Sequence, residues 1–482
     1  VIGLLGVASG FAMSTTATVE EEAEAVVQEV PEIEPATGPF IGAPSCSLLI
    51  WRWTIVCIVS MALVAVTVLV HRQTGDGLMI GYWYFGAAVI EGCLLAFVIG
   101  KRYLDRPVAE GAVLCIVPAY NESPEGLHAT VMALLRQTVP VDIVVMDDGS
   151  QVPVVPSIEH PRVEWRRQAN TGKRGAQVSV LRSIDPDRYQ FVLTVDSDSE
   201  PYPDACEQLL RAMSNPKVQA ATGMIFIRNF RQSWVSFAAD IDIGTSCVMM
   251  RASRSMLGAL ETTSGALALY RAKLLYDHLA GYAVECGTGD DRWLALRALR
   301  RGQVVAVAEA GVETDMPTTL KGTYKQRLRW SRSWWWMLPY VGKYLGPKQF
   351  VSPVYGVIQL FVAPMMILYI VASTIDAQLA SHGRYGGGRF WVLVAYVGAY
   401  VLVRYGLAAL YLIGRSNVPL RWKLALWLFA TPLAVLLNAV LLVPVRYYAL
   451  TKLFDNRWQT RELSAAELSR LSGAHEIAET SG

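Results

Sequence analysis

Leu48 to Val70 is a predominantly apolar run of about 23 residues, long enough at 1.5 Å per residue to cross the hydrocarbon of a bilayer. Arg52 lies near one end, with Trp51 and Trp53 as interface anchors. Leu78 to Gly100 forms a second run of similar length, and the link His71 to Gly77 makes the two a hairpin over residues 48–100. Lys101, Arg102 and Arg106 follow, which predicts a cytoplasmic location for that end. Glu91, inside the second run, is expected to face protein or a polar path rather than lipid.

From Gly111 the pattern changes. Short apolar stretches (Ala112–Val117, Asp142–Met146, Gln190–Val195) alternate with helical segments at Pro124–Gln137 and Gly172–Ser183. That alternation predicts a parallel, doubly wound α/β sheet over residues 111–323. In such sheets ligands bind beyond the carboxyl ends of the strands. Three polar clusters fall there: Pro118-Ala-Tyr-Asn-Glu122, Asp147-Asp-Gly-Ser150 and Asp196-Ser-Asp198.

Residues 324–347 are rich in Arg and Trp, with Trp334, Trp335 and Trp336 in sequence, and predict an interfacial helix. Two further spans are expected at Val351–Thr374 and Phe390–Gly414. Leu420 to Leu450 is apolar but carries Pro432, Asn438 and Pro444, with basic flanks at both ends (Arg421 and Lys423; Arg446, Lys452, Arg457 and Arg461). Both flanks favour the cytoplasm, so residues 351–450 are expected to hold two spans and one re-entrant or interface-lying segment, with residues 451–482 as a cytosolic tail. Residues 1–47, acidic and rich in Pro, Ala and Val from Glu20 onward, are expected to form a disordered tail, and Val1 to Met13 lack the basic flank of a signal peptide.

Composition agrees with a membrane protein: 53% hydrophobic and 17% charged residues in a chain of 482. A net charge of +2 supplies no basic field for nucleic acid. The seven cysteines are scattered without a CxxC pair, which argues against a disulfide framework, and the six histidines show no zinc spacing.

Carboxylates two residues apart at a strand end, as in Asp196 and Asp198, can hold Mg²⁺ or Mn²⁺, whose shells are often completed by substrate phosphates. Read alone, DxD is also a common chance pattern and "DDGS" an ordinary turn. Lys173 and Arg174 in "NTGKRGA" can meet phosphate or open a solvated helix. Ser264, Gly265 and Ala266 let a ligand approach backbone, or make a tight turn. Asp290 and Asp291 in "GTGDDRW" sit where a helix is expected to begin, so one of them can serve as an N-cap; a carboxylate there can also act as a general base. "QRLRW", Gln326 to Trp330, joins guanidinium groups suited to phosphate and an indole suited to a sugar face.

In this order the motifs resemble the processive family-2 glycosyltransferases: cellulose, chitin and hyaluronan synthases. The matching residues are Asp148, Asp196-Ser-Asp198, Gly289-Asp290-Asp291 and Gln326-Arg-Leu-Arg329-Trp330. "GDDR", "RWSRSWW" and "DNRWQTR" look most like hyaluronan synthases and the related chitooligosaccharide synthases. The last contains Trp458-Gln459-Thr460-Arg461, with Gln459 where the family motif has Gly.

The resemblance implies a Rossmann-like GT-A domain inserted between transmembrane helices of the plasma membrane, with its catalytic face in the cytoplasm. It implies UDP-GlcNAc as donor, either together with UDP-GlcA or alone as in the chitooligosaccharide-type enzymes, a growing polysaccharide as acceptor, and Mg²⁺ or Mn²⁺ as cofactor. It further implies that Tyr120, Glu122, Asp148 and Lys173 contact the nucleotide, that Asp198 ligates the metal with Asp196 in support, and that Ser264 and Gly265 border the sugar. Asp291, with Asp290 beside it, would be the base, Gln326 and Arg329 would serve the diphosphate side, Trp330 would stack on the acceptor, and Trp458 and Arg461 would lie near the site.

Overall fold

The computed structural model describes residues 45–73, 77–100, 102–287, 289–380, 387–415 and 417–453. The acidic N-terminal segment and the WxTR-like motif of Trp458 and Arg461 lie outside the described residues.

Helices α1 (Cys46–Gln73) and α2 (Gly77–Ile99) form the expected hairpin. Glu91 faces protein: the Ser60 hydroxyl of α1 donates to its Oε2 at 2.8 Å, which satisfies a carboxyl group that lipid could not.

An eight-stranded sheet follows, in the order β3-β2-β1-β4-β7-β6-β8-β5. Its strands are β1 (Val113–Ala119), β2 (Asp142–Asp147), β3 (Val163–Arg167), β4 (Phe191–Thr194), β5 (Glu200–Pro201), β6 (Val218–Ile227), β7 (Ala268–Arg271) and β8 (Gln303–Thr314). The half β3-β2-β1-β4 is parallel, as expected, and its central strands β1 and β4 are buried along their whole length beneath α3 (Pro124–Leu135) and α4 (Lys173–Arg182). Strands with both faces covered need continuous apolar runs, and these have them.

The other half departs from the parallel expectation. Strand β7 is antiparallel to both β4 and β6, β6 and β8 are parallel to one another, and β5 is antiparallel to β8. The sheet is therefore mixed. The antiparallel strand lets the chain return from the membrane-facing helices straight into the sheet without a further crossover helix.

Helix α5 (Ala205–Met213) follows β5, with Asp204 at its N-cap position and no side-chain capping bond there. Between β6 and β7, α6 (Trp234–Ile243) passes through a π-helical stretch, Gly244–Met249, into α7 (Met250–Met256). Helix α8 (Asp290–Arg301) precedes β8, and α9 (Leu320–Tyr344) carries the Arg- and Trp-rich segment.

Beyond α9 the chain forms α10 (Pro347–Val357), α11 (Ala363–Ala380) and α12 (Gly387–Ile413), then a helical run, Leu420–Thr451. Among the described residues five helices are long and apolar enough to cross a membrane, and the last of them is this run. Pro432 and Pro444 each sit in the first turn after a π-helical stretch, where a missing N–H is tolerated, so the prolines do not break the helix. The run packs on α6 and α9 of the sheet domain.

Candidate active site

Four parts of the chain converge on one cavity of about 350 Å³ at the carboxyl end of β4. The strand end supplies Asp196 and Asp198. The turn before β7 supplies Ser264 and Gly265, the N-terminus of α8 supplies Asp290 and Asp291, and α9 supplies Gln326, Arg329 and Trp330. Lys173, from the first turn of α4, completes the wall.

Lys173 organises the acids. Its ammonium pairs with Asp196 and lies 3.5 Å from Asp290 Oδ2. Burial alone would lower its pKa, but Asp196 and Asp290 outweigh burial and hold it raised, so the lysine stays charged.

Asp290 is buried; Asp291 is half-buried. Burial would push Asp290 upward, yet Lys173 and then Arg329 hold it below the usual carboxylate range. Burial followed by the adjacent Asp290 charge pushes Asp291 the other way, above that range, against the pull of Arg292, Arg251 and Lys173. Two neighbouring carboxyls are thereby driven apart, one to remain ionised and one to bind protons more readily, which is the pattern that separates acid–base roles. The N-cap of α8 is Gly289, so neither aspartate serves as the cap. Gly289 has φ +122°, and a Cβ there would collide with Ser333 of α9. The glycine lets the start of α8 touch the helix that carries Gln326, Arg329 and Trp330.

Asp198 is half-buried and accepts from two hydroxyls, Ser199 Oγ at 3.2 Å and Thr314 Oγ1 at 3.3 Å. No cationic side chain pairs with its carboxylate among the described residues. Burial and then the Asp196 charge push its pKa up. A carboxylate crowded by a second one, with Arg228 within electrostatic reach but in no direct ion pair with it, fits a hard divalent ion, for which oxygen donors are the preferred ligands. Among the described residues no three or more His, Cys, Asp or Glu side chains are placed to hold one metal ion together, so such an ion would draw the rest of its shell from substrate oxygens and water.

Gly265 sits against this group. A Cβ there would lie 3.1 Å from both Asp196 Oδ2 and Lys173 Nζ. The Gln326 amide donates to Met316 Sδ at 3.5 Å, and the Arg327 guanidinium lies 4.6 Å from the Trp330 ring centroid.

Tyr120, Glu122 and Asp148 stand at the ends of β1 and β2, outside the lining of this cavity. In "DDGS" the two aspartates separate. Asp147 closes the turn by accepting from Ser150 N and pairs with Arg167 at 2.5 Å, whereas Asp148 Oδ1 accepts from Gln168 Nε2 at 2.8 Å and from Thr171 N at 3.0 Å. Asp148 thus ties the β2 end to the loop that delivers Lys173.

Sequence reasoning missed several residues of the wall. Arg251 and Arg254, three apart on α7, line the cavity, as do Arg292, Thr262 and Asp315. The i,i+3 spacing of the two arginines was the available signal, since such residues share a helix face. The partner of Arg254 and Arg292 is the buried Glu261, at 3.9 and 3.4 Å.

The family model described as glycosyltransferase like family 2 matches residues 110–333, which run from just before β1 into α9. The chain thus carries a family-2-like glycosyltransferase domain and is a glycosyltransferase. Its long apolar helices make it a membrane protein.

Among curated proteins it is similar to a hyaluronan synthase of Streptococcus pyogenes serotype M1, at 27% identity over 76% of this chain and 88% of that one. It is also similar to an N-acetylglucosaminyltransferase of Sinorhizobium fredii, at 29% identity over 74% and 86%. Among solved structures, a mannosyltransferase from Pyrobaculum calidifontis in complex with GDP-Man and Mn²⁺ matches 83% of this chain and 100% of its own, at 17% identity and a TM-score of 0.41, a superposition too loose for comparing sites.

Proposed function

We propose that this enzyme is a processive, inverting polysaccharide synthase of the hyaluronan-synthase type, which takes UDP-sugars in the cytoplasm and passes the growing chain into its own membrane helices. The observation that carries this reading is the one cavity that Asp198, Asp291, Arg329 and Trp330 all line.

In this reading Tyr120, Glu122 and Asp148 contact the uridine at the β1 and β2 ends, and Asp196 with Lys173 borders the ribose and diphosphate. Asp198, supported by Asp196, would hold Mg²⁺ or Mn²⁺. When bound, that ion supplies positive charge against the departing diphosphate.

Asp291 takes the proton from the acceptor hydroxyl, which attacks the anomeric carbon opposite the leaving group. The new glycosidic C–O bond forms as the bond to the diphosphate breaks, and UDP leaves with the bonding electrons. The charge of Arg329 offsets what develops on the diphosphate oxygens. Gln326 borders the same face. Ser264 and Gly265 leave room for the donor sugar, and Trp330 offers its ring to the acceptor sugar.

The basic residues Arg102 and Arg106 after α2 support a cytoplasmic sheet domain. The packing of residues 420–451 on α6 and α9, with basic residues at both ends, supports placing that run at the cytoplasmic interface rather than wholly in lipid.

The test uses purified full-length protein in detergent with Mg²⁺ or Mn²⁺ and UDP-GlcNAc, with and without UDP-GlcA. A long product that requires both donors and is digested by hyaluronidase supports the proposal. A product from UDP-GlcNAc alone that only chitinase cuts replaces the sugar assignment with the chitooligosaccharide one, to which the rhizobial relative points. Release of free sugar and UDP with no polymer overturns the synthase reading.

A further inference from the structure

Asp242 lies on α6, a helix outside the catalytic motifs, and does not line the cavity. Its side chain is buried, and Oδ2 accepts from Arg327 Nη2 at 2.7 Å. Arg327 in turn lays its guanidinium over Trp330, 4.6 Å from the ring centroid. The carboxylate is one step removed from the indole that the proposed function gives to the acceptor.

Helix α6 is held on its other side as well. Asp240, two residues earlier, is buried and pairs with the equally buried Arg415 just past α12; Tyr411 Oη, on α12, donates to Asp240 at 3.2 Å. Two residues along an α-helix rotate by about 200°, so the two carboxylates point to opposite sides of α6. One side grips the end of a membrane-facing helix and the other grips the helix that carries Trp330.

The geometry points to Asp242 as a positioning residue for acceptor binding: through Arg327 it fixes the Trp330 ring as a stacking platform. This rests on the reading of Trp330 as the acceptor platform. Arg327 needs the carboxylate because Arg446 lies within electrostatic reach of both of them, so Asp242 offsets the repulsion between two guanidinium groups. Without the negative charge, a half-buried guanidinium beside a second one is repelled from its place. The indole then loses the cation that covers one face, and the acceptor must bear the cost of ordering it.

The experiment measures initial rates of the full-length enzyme with saturating UDP-GlcNAc and UDP-GlcA and a titrated hyaluronan tetrasaccharide as acceptor. Asp242→Asn is expected to raise the acceptor KM about five- to tenfold while kcat changes about twofold or less, and Asp242→Glu is expected to recover part of the loss. Trp330→Ala is expected to raise the same KM, and the double variant Asp242→Asn/Trp330→Ala to be no worse than Trp330→Ala alone, because the two residues act in series.

Multiplying effects in the double variant, or an unchanged KM in Asp242→Asn beside a raised one in Trp330→Ala, overturn the inference while leaving the function intact. A fall in kcat that follows a fall in melting temperature, at constant KM, assigns Asp242 a merely structural role and also overturns it. An unchanged KM in Trp330→Ala removes the platform reading itself, and the inference with it.

Discussion

Lys173 Nζ lies 3.5 Å from Asp290 Oδ2 while also pairing with Asp196, so one ammonium joins the strand-end carboxylates to the acid pair that opens α8. The lysine keeps Asp290 ionised, and the ionised Asp290 raises Asp291. The acid–base character of the site therefore follows from a contact between two motifs about 117 residues apart in the chain.

Replacement of the base is the first consequence. Asp291→Asn preserves shape and removes the proton acceptor. Sugar transfer is expected to fall by about a thousandfold or more, within the usual span for a lost general base, while UDP affinity stays within a few-fold. Radiolabelled sugar incorporation and UDP titration calorimetry check the two parts; full activity in the variant would contradict the assignment.

The pH profile carries a signed prediction. Asp291 must be ionised to accept a proton, so the rate falls as pH drops through its pKa, which burial and Asp290 place above the usual carboxylate range. Asp290→Asn removes the neighbouring negative charge and leaves Lys173 less compensated. Both changes favour ionised Asp291, so the acid limb of kcat moves to lower pH, whatever happens to the plateau. A limb that stays or moves up would contradict the electrostatic account.

Divalent-ion dependence should reside in Asp198. Asp198→Ala is expected to lose activity together with the response to added Mn²⁺ or Mg²⁺, and Mn²⁺ binding followed by electron paramagnetic resonance in the presence of UDP should weaken by tenfold or more, about 1.4 kcal/mol. A variant still active in EDTA would refute the metal role.

The buried pair Asp240–Arg415 gives a stability prediction. Both side chains are at most 1% exposed, so Arg415→Met alone strands a buried carboxylate and is expected to cost about 3–5 kcal/mol. The double variant Asp240→Leu/Arg415→Met removes both charges and is expected to recover most of that loss. Thermal unfolding in detergent reads the comparison, and a double variant less stable than Arg415→Met would contradict it.

Much of this was legible in the chain. The strands ending at Asp147 and before Asp196 showed as apolar runs closed by acids, and the membrane hairpin showed as two spans divided by seven residues. The antiparallel β7 was not legible, because a four-residue stretch, Ala268 to Arg271, carries no sign of direction. The wall formed by Arg251, Arg254 and Arg292 was legible only in the i,i+3 spacing of the first two. Their roles depend on the π-helical passage at Gly244–Met249 and on Glu261, and no local pattern states where a turn of helix will point. The helical continuity of residues 420–451 through Pro432 and Pro444 was not legible either, because it depends on the π-helical stretches before each proline.

The most direct test of the central claim is product length against time at low donor conversion, with purified full-length enzyme, UDP-GlcNAc, UDP-GlcA and Mn²⁺. The processive account predicts that long chains are present from the earliest samples, with few intermediates, and that UDP release equals sugar incorporated. A ladder that grows one or two sugars at a time across the whole population, or UDP release without incorporation, would contradict it.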